Sequence, residues 1–291
     1  MFDLQLHTRY SDGRYEPAEL ISQVLLPAGL RLAAATDHDT WQGARSFLRS
    51  AESSPLTAVS GIEVSTLYEE GSDWLQVDIL AFGGDLERSD LREFEQRLRE
   101  INDQRFLALI GYLNREFGGG IDPHSIQAKA EERGVPIHLA HVILAALESG
   151  LIKSPDEIKS WYESTIVNNP SAQEAMKPRL ATREVVGILG ELGLITALAH
   201  PHRYPDPVVE EVVRMEVRGI EALYGRHTEE ERKKYLELAS EENLLVSGGS
   251  DFHGFFEDQY QPPQGDPNLL LPLLDALEVE LSWDLPPTPA G

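Results

Sequence analysis

The 291-residue chain contains no cysteine. That absence removes disulfide scaffolds, thiolate-bound zinc, iron–sulfur clusters and thiol nucleophiles from consideration. Positive charge is scarce as well: 25 Lys and Arg stand against 49 Asp and Glu, a formal net charge of -24. Counterion-driven binding to duplex DNA or to an anionic lipid surface needs the opposite balance. A small anionic substrate stays compatible, because bound divalent cations would invert the field inside one cleft. Long apolar runs are also missing: Leu269–Leu274, broken by Pro272, is too short to span a bilayer. Residues 1–10 show no basic segment leading into an apolar stretch, so the expectation is a cytoplasmic protein with no membrane partner.

What is present is alternation. Short apolar stretches recur between longer amphipathic ones, the pattern of βα units. Phe2, Leu4 and Leu6 alternate with Asp3, Gln5 and His7, which predicts a strand. Pro17 opens a helix that Gly29 closes, with Leu20, Ile21, Val24 and Leu25 on its buried stripe. Strands are expected over 32–35, 59–64 and 75–82, with a helix to about Ala51 between the first two. Residues 88–117 read as one long charged helix with a stripe of Leu91, Phe94, Leu98, Ile101 and Leu107. Shorter helices follow at 123–133, 138–149 and 155–164, with no convincing strand before Ile195. Alternation then resumes: strands at 195–199, 219–223 and 244–247, and helices at 206–217 and 228–242, the latter opened by a Thr228/Glu231 capping box. The Pro-rich tail after Gly254 reads as irregular. The expected organisation is an α/β barrel domain from residues 1–83 and 190–255, a helical insertion over 84–189, and a C-terminal extension over 256–291.

Polar side chains gather where these strands end. Gln5, His7, Asp12, His38, Glu63, Asp78, His200, Asp251 and His253 all fall at or near the C-terminal end of a predicted strand. In a parallel barrel that rim carries the active site. Buried carboxylates and imidazoles in such number need compensation, and divalent metal supplies it. Plainer roles exist for some of them. An Asp at Asp78 can simply accept backbone hydrogen bonds, and Asp251-x-His253 after two glycines can be a turn. Asp37 and Asp39 suit capping or orientation of His38. One of His138 and His141, a helical turn apart, reads as structural; His227 suits a helix N-terminal region, and His202 and His124 the surface.

Five segments in order resemble the motifs of the PHP (polymerase and histidinol phosphatase) superfamily. They are His7-Thr8-x-x-Ser11-Asp12-Gly13, Thr36-Asp37-His38-Asp39, Gly61-Ile62-Glu63-Val64-Ser65, Ala199-His200-Pro201 and Gly249-Ser250-Asp251-Phe252-His253-Gly254. The match spans about residues 1–255 and is nearest to the stand-alone branch of nucleotide phosphatases and short-RNA exonucleases. The resemblance implies a distorted (β/α)7 barrel with an inserted helical subdomain, and two or three divalent ions at the strand ends. It implies that His7, Glu63 and Asp251 hold one ion, and Asp12, His38 and His253 a second. A third would fall to Glu63 as a bridge with Asp78 and His138. His200 would sit beside the phosphate, with His200 and Asp251 as the catalytic pair.

The chain departs from that pattern at three places. Gln5 stands where the first motif usually has histidine, and Asp78 stands where the strand after the glutamate usually has one. Pro136-Ile137-His138 replaces Arg-Pro-His, which leaves Arg179, His141, Arg133 or His227 to contact the substrate. A hard anionic oxygen at Asp78 favours Mn²⁺, with Fe²⁺, Zn²⁺ and Mg²⁺ as alternatives. The implied activity is hydrolysis of a phosphoester in a small nucleotide-type substrate: a 3′,5′-bisphosphonucleotide, a nucleoside monophosphate or a short 5′-phosphorylated RNA. Two alternatives stay open: a degenerate PHP domain that binds nucleotide or metal as a regulatory module, kept alive by Gln5, and an amidohydrolase-like hydrolase. No lysine of the kind that bridges amidohydrolase metals lies in any motif. The oligomeric state is left open.

Overall fold

Seven strands form one curled sheet whose spatial order is the order of the chain: β1 (Phe2–Leu6), β2 (Leu32–Ala35), β3 (Thr57–Glu70), β4 (Asp73–Phe82), β5 (Ile195–Leu198), β6 (Gly219–Glu221) and β7 (Leu245–Ser247). The computed structural model describes residues 1–70, 73–118, 120–177, 179–255, 259–281 and 283. Part of the expected C-terminal extension therefore lies outside the described residues. The pairs β1–β2, β2–β3, β5–β6 and β6–β7 are parallel. Strand β4 runs antiparallel to both β3 and β5. This corrects the all-parallel expectation, and it changes how Asp78 reaches the rim. Asp78 sits mid-strand, paired in register with Ser65, and comes to the rim because β4 enters the sheet from that side.

The sheet closes on itself after β7. Leu4 N–H donates to Gly248 O (2.9 Å), Asp251 N–H to Gln5 O (3.0 Å) and His7 N–H to Phe252 O (3.1 Å). Residues 248–252 thus run beside β1 and carry Asp251 to its end. Only glycine allows that approach at Gly249, where a Cβ would lie 2.3 Å from Gln5 Cβ and 2.6 Å from Gln5 N. Gly249→Ala is expected to destabilise the fold by about 1–3 kcal/mol, the usual cost of overpacking. An unchanged midpoint in thermal unfolding would show that the closure is not this tight.

Residues on opposite faces of the strands feed different cores. Phe2, Leu4, Leu32, Ala34, Val59, Leu80, Phe82, Ile195 and Ala197 meet inside the curl. The tail joins them: α11 (Leu271–Ala276) and the turn over Pro267–Leu270 bury Leu270, Leu273 and Leu274 there. Pro272, which looked like a breaker, occupies the first turn of α11, where its missing N–H costs nothing. On the other face, Ile62, Val64, Val77, Ile79 and Leu198 pack against helices. Those helices are α2 (Gln42–Ala51), α8 (Thr182–Glu191), α9 (Asp206–Val213), α10 (Glu229–Glu241) and the first half of α3 (Ser89–Phe117). The Pro17 segment forms α1 (Pro17–Glu19) and then widens into a π-type stretch over Leu20–Leu25.

Between β4 and β5 the described residues contain helices and no strand. The second half of α3 builds a separate core with α4 (Pro123–Arg133), α5 (Leu139–Glu148), α6 (Ile158–Tyr162) and α7 (Pro170–Ala175), centred on Phe106, Leu109, Ile110, Val142, Ile143 and Ile166. The periodicity had not signalled α7 or α8. The α3 stripe also differs: it runs through Asn102 and Arg105, both buried, whereas Ile101 and Leu107 are only half-buried. No helix among the described residues is long and apolar enough to cross a membrane.

Candidate metal centre

Carboxylates and imidazoles from separate strand ends converge at one mouth of the barrel. The His7-to-Gly13 loop is held down by the buried Asp37, which accepts from Thr8 N–H (2.8 Å), Thr8 Oγ1 (2.6 Å) and Ser11 Oγ (2.5 Å). Asp39, at φ 55, accepts from Ser65 N–H (3.0 Å) and Asn102 Nδ2 (2.9 Å), tying the His38 turn to β3 and α3. These two aspartates brace loops; neither shows a hydrogen bond to the His38 ring.

Three overlapping groups result, each with ligand atoms within 4.8 Å of one another: His7, Asp12, His38 and His253; His7, Glu63 and Asp251; His38, Glu63 and Asp78. His7 Nε2 lies 3.1 Å from Glu63 Oε2 and 3.2 Å from Asp251 Oδ1, and its Nδ1 lies 3.5 Å from Asp12 Oδ1. Asp12 also faces His253 Nε2 at 3.4 Å and His38 Nε2 at 3.8 Å. Glu63 is fully buried, its Oε1 2.8 Å from His200 Nε2 and its Oε2 accepting from Gln5 Nε2 at 2.9 Å.

The electrostatics follow from burial opposed by neighbours. Burial alone would raise the carboxyls of Asp12, Glu63 and Asp251. The surrounding imidazoles, together with Arg203 beside Asp251, hold all three well below the usual carboxylate range. His138 moves the other way: burial and the adjacent His141 push it well down, so its ring stays neutral. His7 and His253 move up despite their burial, because the same carboxylates surround them, so an ion taking their ring nitrogens would displace protons there, while the carboxylates are already ionised as a divalent ion requires. Polar atoms without partners point the same way. Both ring nitrogens of His7, Nδ1 of His38, Nε2 of His138 and Oε1 of Gln5 are buried and make no hydrogen bond. The donor set therefore fits divalent cations.

His200 is placed differently from these. Its backbone is strained at φ 29, fixed by its N–H donating to the buried Glu221 (2.8 Å). Tyr204 OH accepts from Asp78 N–H (3.0 Å), so its own hydrogen goes to His200 Nδ1 (3.2 Å). That arrangement puts the His200 proton on Nε2, aimed at Glu63.

Several expected contacts lie elsewhere. His141 Nδ1 accepts from His138 N–H (3.1 Å) and serves the cap of α5. His227 donates from Nδ1 to Ala222 O (3.1 Å) and packs against Tyr235. Arg133 pairs with Glu16 at 2.9 Å. His202 is half-buried rather than exposed, because its ring stacks 5.0 Å from Tyr224. His124 is exposed, as expected. His138 and Arg179 do face the recess beside His38. Two arginines were not foreseen. Arg203 donates to Asp251 Oδ2 at 2.7 Å, and its only signal in the sequence was its place three residues after His200. Arg105 lines the same recess as Arg179. Its signal was a cation at heptad spacing within the apolar stripe of α3.

No family model matches the chain. Curated relatives do. A phosphoribosyl 1,2-cyclic phosphate 1,2-diphosphodiesterase of Eggerthella lenta is 27% identical over 259 residues, 87% of this chain and 94% of that protein. A 3′,5′-nucleoside bisphosphate phosphatase of Chromobacterium violaceum is 25% identical over 264 residues, 86% of each chain. The 5′-3′ exoribonuclease Rnm of Escherichia coli is 24% identical over 264 residues, 87% and 85% of the two chains. Among solved structures, one called a metal-dependent phosphoesterase, from Bifidobacterium adolescentis, superposes with a TM-score of 0.78 at 23% identity, covering 94% of this chain and 96% of that one. Another from Chromobacterium violaceum, called an amidohydrolase, gives 0.75 at 24% identity and 95% of each chain.

Fold and cluster together define an α/β barrel of hydrolase type whose mouth carries donor groups that could hold metal ions. The relatives, matched over 86–87% of the chain, are phosphoesterases by name and accord with the resemblance to the PHP superfamily.

Proposed function

We propose that the protein is a metal-dependent phosphoesterase acting on a small nucleotide-type substrate. The observation that carries the reading is the set of three donor groups sharing His7, His38 and Glu63 in one buried mouth. His7, Glu63 and Asp251 would hold one ion, and Asp12, His38 and His253 a second. Glu63 would bridge to a third held with Asp78, close to the unpartnered His138. When bound, such ions neutralise phosphate charge and lower the pKa of water from about 15.7 towards 7.

The chain's own groups complete the site. Asp251, kept ionised by Arg203 and His7, serves as an anionic ligand at the edge of the cluster; the neighbours that hold its proton off make it a weak base. His200 presents the proton on Nε2 that would hydrogen-bond a phosphate oxygen or pass to the leaving oxygen. Tyr204 and Glu221 position it and do not contact substrate. The relatives are named for a cyclic phosphate, a nucleoside bisphosphate and RNA. The net charge of -24 disfavours long nucleic acid among these, since a polyanion meets the whole surface and a nucleotide meets only the mouth. A cytoplasmic location suits such a substrate and a chain without cysteine.

Elemental analysis of purified protein, combined with a phosphatase screen across added metals, tests this. We expect two or three divalent ions per chain, loss of activity in excess EDTA, and better recovery with Mn²⁺ than with Zn²⁺, because Asp78 adds a hard oxygen where an imidazole would favour zinc. Undiminished activity in EDTA would remove the mechanism.

A further inference from the structure

A second cavity, which shares no lining residue with the recess beside His38, lies where the helical insertion meets the barrel and measures about 380 Å³. Gln42 and Arg45 at the start of α2 line one wall, and Gly134 and Pro136 in the loop after α4 line another. Between them α3 presents Arg92, Glu95, Gln96 and Arg99, whose i, i+3, i+4 and i+7 spacing puts them on one helix face. The carboxylate of this lining is already occupied. Glu95 accepts from Arg45 Nη1 with both oxygens (3.0 and 2.8 Å) and from Trp41 N–H (2.7 Å), so Arg45 and Glu95 cancel. The other two arginines are not matched in this way. Arg92 pairs with Glu87, and both side chains are more than half exposed, the setting in which an ion pair contributes least. The Arg99 guanidinium makes no hydrogen bond among the described residues. The carboxylate beside it, Asp103, has Oδ2 4.0 Å from Nε, and its Oδ1 accepts from Ile137 N–H (2.7 Å).

The field of a chain with net charge -24 repels anions, so a place that takes one must concentrate positive charge locally, as this seam does. Two uncompensated guanidinium groups call for two negative charges, and their forks match the oxygen pairs of a phosphate. Arg92 and Arg99 stand two helical turns apart, about 10 Å along the axis, so two linked phosphates bridge them better than one. We propose that this seam binds a diphosphate group, brought as inorganic pyrophosphate or as the 5′ tail of a nucleoside diphosphate. The site is separate from the mouth where a phosphoester would react, and its occupant acts as an effector. The cavity lies within the range of small-ligand pockets, roughly 300–1,000 Å³. The side-chain amides of Gln42 and Gln96 add neutral donors beside the two cations. A bound diphosphate would tie α2 of the barrel to the loop that runs from Pro136 into His138, and so would hold the insertion against the barrel.

The test titrates pyrophosphate and ADP calorimetrically into the full chain, treated with chelator and dialysed so that neither is hydrolysed. Wild type is compared with Arg92→Gln, Arg99→Gln and the corresponding Lys variants, with Arg179→Gln as the control in the recess beside His38. Thermal unfolding checks that each variant is folded. Pyrophosphate is expected to bind once per chain, and each of the two seam Gln variants should weaken it by at least about 10-fold, the effect of losing a charge-assisted hydrogen bond. The Lys variants should recover part of the loss, and Arg179→Gln should bind as wild type does. Tighter binding of ADP would make a nucleotide the source of the diphosphate, and tighter binding of pyrophosphate the inorganic ion; both support the proposal. Binding that falls in Arg179→Gln and survives in the seam variants would put the anion in the other recess and overturn it. No binding at millimolar pyrophosphate would overturn it as well. Hydrogen exchange gives a second readout: pyrophosphate should slow exchange around residues 134–138 in wild type and not in Arg99→Gln, and equal exchange in the two would overturn the placement at the seam. Because both readouts are independent of turnover, failure of the phosphoesterase reading leaves this result standing.

Discussion

Glu63→Gln is expected to lower both metal content and metal-dependent hydrolysis, the latter by more than about 100-fold. Changes to groups one layer outside a metal's ligands already cost about 10- to 100-fold, and Glu63 is proposed as a ligand itself. It belongs to two of the three donor groups, is fully buried, and is approached at once by His7, His200 and Gln5. An amide there removes one negative charge from between two groups and turns one acceptor oxygen into a donor facing Gln5 Nε2 or His200 Nε2. The volume is nearly conserved, so thermal unfolding should separate a lost site from a lost fold. Unchanged ion stoichiometry with unchanged rates would show that Glu63 is only a buried structural acid.

The second large effect is expected as a gain. Gln5 occupies the fully buried place beside Glu63, donating from Nε2 and leaving Oε1 without a partner. A glutamine offers an ion only a neutral carbonyl oxygen, whereas an imidazole is a strong ligand for Zn²⁺, Fe²⁺ and Mn²⁺. Gln5→His should tighten the ion proposed for His7, Glu63 and Asp251 by about 10- to 100-fold, a change on the scale seen when ligand surroundings are altered. Titration at limiting metal, read by elemental analysis and by rate, checks this. No change in metal content would place Gln5 outside the site. A fall in activity with metal content raised would give the glutamine a role of its own, such as orienting Glu63 through the hydrogen bond it now donates.

The candidate site was unusually open to reading because its donors sit one or two to a strand end, next to short apolar runs that announce the strands. His7, Asp12, His38, Glu63, Asp251 and His253 could each be marked from neighbouring residues alone. Asp78 is legible as a residue near a strand end, but it sits in the middle of β4, and the antiparallel register with Ser65 brings it beside His38 and Glu63. Arg105 was passed over because a charged residue on a charged helix looks solvated, and its burial depends on the insertion folding over it. His202 was read as exposed because nothing local reveals that Tyr224 comes to lie against it.

Local order was determined by the sequence itself. The period-two runs, the Pro17 and Thr228 helix starts and the long α3 pattern depend on contacts within a few residues, where sterics and capping decide. The tertiary structure decided everything that needs distant segments to meet. It set the reversal of β4, the closure of residues 248–252 against β1, the plugging of the barrel by α11, and the placing of Arg105 and Arg179 in one recess beside the candidate metal centre. These contacts form only where whole surfaces match in shape and burial, which the spacing of residues along the chain does not encode.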